Sequence, residues 1–194
     1  MTANIYVLDT ETTGLEGYLG GDVVVEIGIA RVDLDRMKVY PELGRIVRQD
    51  LTPKQKESWV FQNTDLTPEE VESSPWTVNK VRADLEAYST KVFTAYNRVF
   101  DFDSFLYYTP WYFHPEEAPC IKEECADRYN DGRWFTAQAA YNLLCPDNPM
   151  KVPEGRERHR ALSDAVFEGH ILTRLCEKNE DILQSYMEAA ENEL

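Results

Sequence analysis

The sequence predicts an α/β fold: a mixed sheet, a three-stranded antiparallel meander plus parallel strands, with helices on both faces. Three observations predict it. Apolar runs with strand character crowd into the first 48 residues, separated by short turns. Helix-start signals dominate from residue 52 onward. One apolar run of strand type, at 91–97, returns between the helices. A strand-rich start followed by alternation of helix and strand builds a layered sheet whose later strands run parallel.

The elements follow in order. Residues 4–9 read as a buried strand. Residues 23–33, VVVEIGIARVD, put Val23, Val25, Ile27 and Ile29 on one face at period two. Residues 37–48 make a third strand, and Pro41, which lacks an N–H for the ladder, places it at a sheet edge or bulge. Thr52-Pro53 with Gln55, and Thr67-Pro68 with Glu70, each fit a capping box with proline at the first helical position. Ser74-Pro75 opens a further helix, lined on one side by Val78, Val81, Leu85 and Tyr88. After the 91–97 strand come helices at 100–108, 117–128, 135–145 and 160–177, then an acidic one at 179–193. No repeat, low-complexity tract or Gly/Ser linker interrupts the chain, so residues 1–194 are expected to form one domain.

Composition bounds the function. With 43% hydrophobic and 12% aromatic residues, the 194-residue chain has the means to bury a core. No apolar stretch approaches the length of a membrane span, and MTANIYVLDT lacks a basic region followed by an apolar run, so no signal peptide is expected and the cytoplasm is the expected location. The net charge of −15 excludes holding long duplex nucleic acid by general charge attraction. Divalent metal or a basic patch is able to invert that field locally. Four cysteines are scattered, and only Cys120 and Cys125 are close. That spacing, with His114 nearby, offers a weak zinc signal, and reduced, buried thiols are the expected state.

Chemistry concentrates in three places. In YVLDTETTGL (6–15), Asp9 and Glu11 occupy alternate strand positions and so share a face. Such a pair repels unless a hard cation resolves the conflict, and Mg²⁺ and Mn²⁺ prefer oxygen ligands. Solvated turn carboxylates are the bland alternative. In TAYNRVFDFDSFL, Asp101 and Asp103 interrupt an aromatic run just after a strand, and helical spacing does not choose between them. In GRERHRALSDAVFEGHIL (155–172), His159 precedes a helix carrying Asp164, with Ala161 and Ala165 small enough to let that helix approach another element closely.

With these residues in place, DTETTG at 9–14, NRVFD at 97–101 and HRALSD at 159–164 resemble, in order, the three motifs of the DEDD superfamily of 3′–5′ exonucleases. The histidine of H-x-A-x-x-D marks the histidine subtype, similar to the bacterial DNA polymerase proofreading subunit and ribonuclease T. The resemblance implies a ribonuclease H-like sheet and selects Asp101 over Asp103, because N-x-x-x-D spans Asn97 to Asp101. It implies four acidic metal-site residues, Asp9, Glu11, Asp101 and Asp164, holding two Mg²⁺ or Mn²⁺ ions about 4 Å apart. Asp9, Glu11 and Asp164 would hold one ion; Asp9 would bridge to the second, supported by Asp101. His159 would be the general base, carried on a mobile loop within VPEGRERHR. Thr12, Thr13, Leu15 and Asn97 would meet the substrate, Leu15 as a wedge at the last bases. Tyr96 stands where many relatives carry histidine, and QNTDLT (62–67) replaces a frequent H-G-I-T segment.

The implied activity is release of nucleoside monophosphates from single-stranded 3′ ends, DNA or RNA. The short tail after the last motif favours a free-standing trimming enzyme, although a polymerase partner or a homodimer is also in keeping with the family. Two readings compete: a catalytically silent nucleic-acid-binding or polymerase-associated module of the same fold, and a zinc-binding interaction domain through Cys120, Cys125 and His114. Arg156, Arg158 and Arg160 offer either phosphate contacts or a solvated face. Tyr96, Phe100 and Phe105 offer either stacking surfaces or core. LYYTPWYF (106–113) reads equally as a contact surface or a packed loop. Nothing assigns Trp59, Trp76, Trp111 or Trp134 to the site.

Overall fold

The computed structural model describes residues 3–146 and 158–191. Strands β1 (Asn4–Thr12), β2 (Val24–Asp33) and β3 (Lys38–Ile46) form the antiparallel meander. Strands β4 (Val92–Thr94) and β5 (Glu116–Glu117) add in parallel, giving the order β3-β2-β1-β4-β5. β3 is an edge strand, and a register shift between Ile29 and Ala30 falls opposite Leu43 and Pro41, so the proline sits at both an edge and a bulge. β1 runs through Asp9 and Glu11 to Thr12, past the end expected from its apolar run.

Period-two alternation on β1 divides the core. Ile5 and Val7 face a cluster with Phe167, Ile171, Leu172 and Leu175 of α7 (Ala161–Lys178). α5 (Ile121–Tyr129), α6 (Ala137–Leu144) and α8 (Glu180–Ala190) contribute to the same layer. Tyr6 and Leu8 face the other layer, with Ile27, Ile29, Phe93, Phe102 and Phe105. The sheet is therefore covered on both faces, which explains why β2 is buried along nearly its whole length. The four cysteines are buried and none is in a disulfide.

Both capping boxes form, on α1 (Pro53–Lys56) and α3 (Pro68–Ser73), with α2 (Trp59–Asn63) between them. α4 (Val78–Glu86) starts after Thr77, three residues beyond the Ser74-Pro75 expected to open it. The Ser74 hydroxyl instead donates to the Ile46 carbonyl and accepts from the Trp76 N–H, pinning the chain to the end of β3. The segment expected to be helical from 117 begins as β5, and its helix starts only at Ile121. Val99–Leu106 forms a wide π-type helix, its i→i+5 pattern visible where the Tyr107 N–H donates to the Phe102 carbonyl. Such widened turns recur at functional sites. In 106–113, Trp111 and Phe113 are buried while Tyr112 is exposed, so this stretch is a packed loop.

The close approach expected of α7 has a partner on β2. Gly28 pairs with Asp9 across the sheet, and a Cβ placed on Gly28 would lie 2.1 Å from the Ala161 carbonyl carbon and 2.2 Å from the Leu162 nitrogen. Glycine thus lets the start of α7 rest on the sheet beside Asp9. Arg160 fastens it there: its guanidinium pairs with both oxygens of Glu26 on β2, at 2.9 and 3.1 Å, and with Asp65 at 2.9 Å. The Ala161 N–H adds a bond to Glu26 at 3.3 Å.

Candidate active site

A cavity of about 710 Å³ opens where β1 ends, lined by Asp9, Glu11, Asp101, Asp164, Glu168 and His159, and also by Thr12, Thr13, Leu15 and Asn97. Each of the residues singled out for catalysis or substrate contact therefore borders one space. Strand alternation sends Asp9 and Glu11 toward α7 and turns Thr10 the other way. Thr10 secures Asp101: its N–H and hydroxyl both donate to Asp101 Oδ1, at 3.0 and 2.7 Å.

Asp164 lies in the first turn of α7 and is buried. Its two oxygens accept the N–H groups of Arg158 and His159, at 2.8 and 2.6 Å. These bonds hold His159 at φ 55°, a left-handed conformation uncommon outside glycine and costing about 1 kcal/mol. The edge of the His159 ring meets Trp59, centroids 4.8 Å apart at 89°. Glu11, His159 and Asp164 bring ligand atoms within 4.8 Å of one another, a spacing that suits one cation. Asp9 and Asp101 border the cavity outside that group of three.

The electrostatics explain what the carboxylates need. Burial pushes the Asp9 carboxyl well above the usual range, and the carboxylates of Glu168, Asp101, Glu11 and Asp164 push it further. Asp9 Oδ2 is buried without a hydrogen-bond partner. Burial also pushes Asp101 up to about 7, against the lowering effect of the Thr10 bonds and Lys122. An orphaned oxygen amid crowded anions is the environment that a divalent cation neutralises, so the donor set fits hard-metal binding.

This crowding sets a pH dependence for the metal-free protein. The unfolded chain loses the Asp101 proton near pH 4, whereas the folded state keeps it to about 7. In that window the folded state binds more protons, so stability falls as pH rises. Thermal melts in chelator are expected to drop between pH 4.5 and 7.5 by on the order of 1–3 kcal/mol from this group, and Asp101→Asn to flatten the decline. An unchanged slope in that variant would refute the assignment.

Glu168 was not legible as a site residue. It lies one turn after Asp164 on α7, is buried, and accepts the Tyr96 N–H at 3.1 Å. The i,i+4 spacing from Asp164 was the available signal, but a helical glutamate ordinarily reads as a solvated face. Trp59, Trp134, Phe100 and Lys122 also line the cavity. Phe105 is buried in the core; Tyr96 is buried too, its hydroxyl donating to the Phe135 carbonyl, but it also borders the cavity. Arg160 is committed to Glu26 and Asp65, whereas Arg156, Pro153, Gly155 and most of the loop before His159 lie outside the described residues. Among the described residues, Cys120 and Cys125 form no metal-type group with His114, whose ring stacks on Tyr107 at 4.6 Å.

The end of β1 in this mixed sheet thus carries a ring of carboxylates and a histidine around one cavity. The exonuclease family model matches residues 6–170, and the chain belongs to this exonuclease family. The segments DTETTG, NRVFD and HRALSD all fall within the matched residues. Exonuclease X, solved in complex with 5′-overhanging duplex DNA, aligns over 96% of this chain and 99% of its own, at 22% identity and TM-score 0.65. The nuclease domain of 3'hExo, a DEDDh family member bound to rAMP, aligns over 92% and 94%, at 13% identity and TM-score 0.64. E. coli Exonuclease I in complex with an oligonucleotide aligns over 94% of this chain and 42% of its own, at 16% identity and TM-score 0.63. At these identities the likeness is one of fold. Comparison with curated protein sequences gives no match. No helix among the described residues is long and apolar enough to cross a membrane.

Proposed function

We propose that the protein is a 3′–5′ exonuclease that releases nucleoside monophosphates from single-stranded DNA or RNA ends with the help of two Mg²⁺ or Mn²⁺ ions. The carrying observation is that Asp9, Glu11, Asp101, Asp164 and His159 border one cavity. Asp9, Glu11 and Asp164 are the residues to hold one ion, and Asp9 with Asp101 the other. When bound, the ions neutralise the phosphate, lower the pKa of water and assist departure of the 3′ oxygen. The protein's own groups do the rest. A ring nitrogen of His159 takes a proton from the attacking water. Thr10 fixes the Asp101 carboxylate through two hydrogen bonds, and Asn97, Thr12, Thr13 and Leu15 border the space for the terminal nucleotide. The water oxygen bonds to phosphorus as the P–O3′ bond breaks, and the departing 3′ oxygen takes a proton from solvent, which leaves a 3′-hydroxyl on the shortened strand and a 5′-monophosphate on the product.

The test is cleavage of 5′-labelled single-stranded DNA and RNA with Mg²⁺, Mn²⁺ or chelator. The expected result is a ladder shortening from the 3′ end, absent with chelator and slowed about 10²- to 10⁴-fold by His159→Ala. Internal cuts, shortening from the 5′ end, or no cleavage by folded protein with metal would overturn the reading.

A further inference from the structure

Three large apolar side chains stand exposed around the cavity: Leu15 at 85%, Trp134 at 67% and Trp59 at 56%. Leu15 follows the first motif, and Trp59 meets His159. Trp134 belongs to none of the three motifs and lies in the connection between α5 and α6. Behind it, Lys122 Nζ sits 4.1 Å from the ring centroid and donates to Asn97 Oδ1 at 2.6 Å. A continuous line of contacts thus joins the second motif to the cavity rim. Among the described residues, Lys122 is the one lysine or arginine lining a space otherwise bordered by five carboxylates. Thr136 and Ala137, at the start of α6, line the same space and add the partial positive charge of a helix N-terminus.

A bare indole face beside local positive charge matches a flat ring carried on an anion. We infer that Trp134 is the stacking platform for one unpaired nucleobase of the strand whose end lies at the carboxylates. Lys122 covers one face of the indole, fixes its plane and offsets the charge of an adjoining phosphate. The inference rests on the exonuclease reading above and narrows its substrate: a base inside a duplex has both faces covered by neighbours, whereas an unpaired base has a face to give. Stacking engages the ring and not the sugar, so DNA and RNA strands are affected alike.

The experiment compares wild type, Trp134→Ala, Trp134→Phe and Lys122→Met on 5′-labelled single strands, DNA and RNA in parallel, with steady-state kinetics and fluorescence-anisotropy binding. A second set of strands carries one abasic position stepped back from the 3′ end. Trp134→Ala is expected to raise KM about tenfold on both strands with kcat little changed, and Trp134→Phe to recover most of the loss. One abasic position is expected to weaken the wild type by a similar factor and Trp134→Ala no further. If the wild type cleaves and Trp134→Ala keeps its KM, or the abasic penalty adds in full, the platform is wrong and the exonuclease reading stands. If the wild type binds without cleaving, the exonuclease reading falls and the affinities of the variants decide the platform. If it neither cleaves nor binds, both fall.

Discussion

Asp9→Asn is expected to lower exonuclease turnover by about 10³-fold or more while making the metal-free protein more stable. The two effects share a cause. Asp9 is raised by burial and by four neighbouring carboxylates, and its Oδ2 is sealed without a partner. In the absence of metal, a neutral side chain of the same shape relieves that repulsion, a gain on the order of 1 kcal/mol. With metal, the same exchange removes one of the proposed ligands. Thermal melts separate the effects: in chelator the variant melts above the wild type, and with Mn²⁺ its gain in melting temperature is much smaller than that of the wild type. A variant that melts lower in chelator would mean that Asp9 is a structural acceptor and not a charge awaiting a cation.

Gly28→Ala is expected to destabilise the fold by about 3 kcal/mol or more. The added methyl would fall 2.1–2.2 Å from backbone atoms of Ala161 and Leu162, where no side-chain rotation relieves it. The start of α7 must lift off β2. That displacement carries His159 and Asp164 away from Asp9, and misplacement by about 1 Å can cost about 10²-fold in rate. Urea melts measure the first effect. Turnover assayed under conditions where the variant is folded measures the second, and normal turnover there would show that the α7 contact serves stability alone.

Much of the candidate site was legible because its determinants are local. Two carboxylates at strand spacing, an N-x-x-x-D after a strand and an H-x-A-x-x-D opening a helix each describe a short segment. The small face of α7 at Ala161 also announced a close approach, though not that Gly28 would be its partner. The capping boxes at Thr52 and Thr67 are local in the same way, and both form. What escaped depends on tertiary context. Ser74-Pro75 has a helix-start pattern, but the Ser74 hydroxyl is taken by the Ile46 carbonyl. Residues 117–120 continue from a strand because β4 presents an open edge to Glu116 and Glu117. Nothing in the sequence assigned Glu168 or Trp134 to the site; the fold brings both to the same cavity.

The two margins of the sheet have a further consequence, for behaviour at high concentration. A long, flat outer strand is a template on which another chain pairs, and proteins that avoid aggregation blunt such strands. Here one margin is β3, interrupted by Pro41 at its bulge, and the other is β5, two glutamates long, with Glu117 held by Arg98. One side withholds a donor and bends; the other is too short and too negative to recruit a neighbour. In a chain of net charge −15, β-strand self-assembly is thus disfavoured at both margins, and the sheet offers no surface for growth at either one.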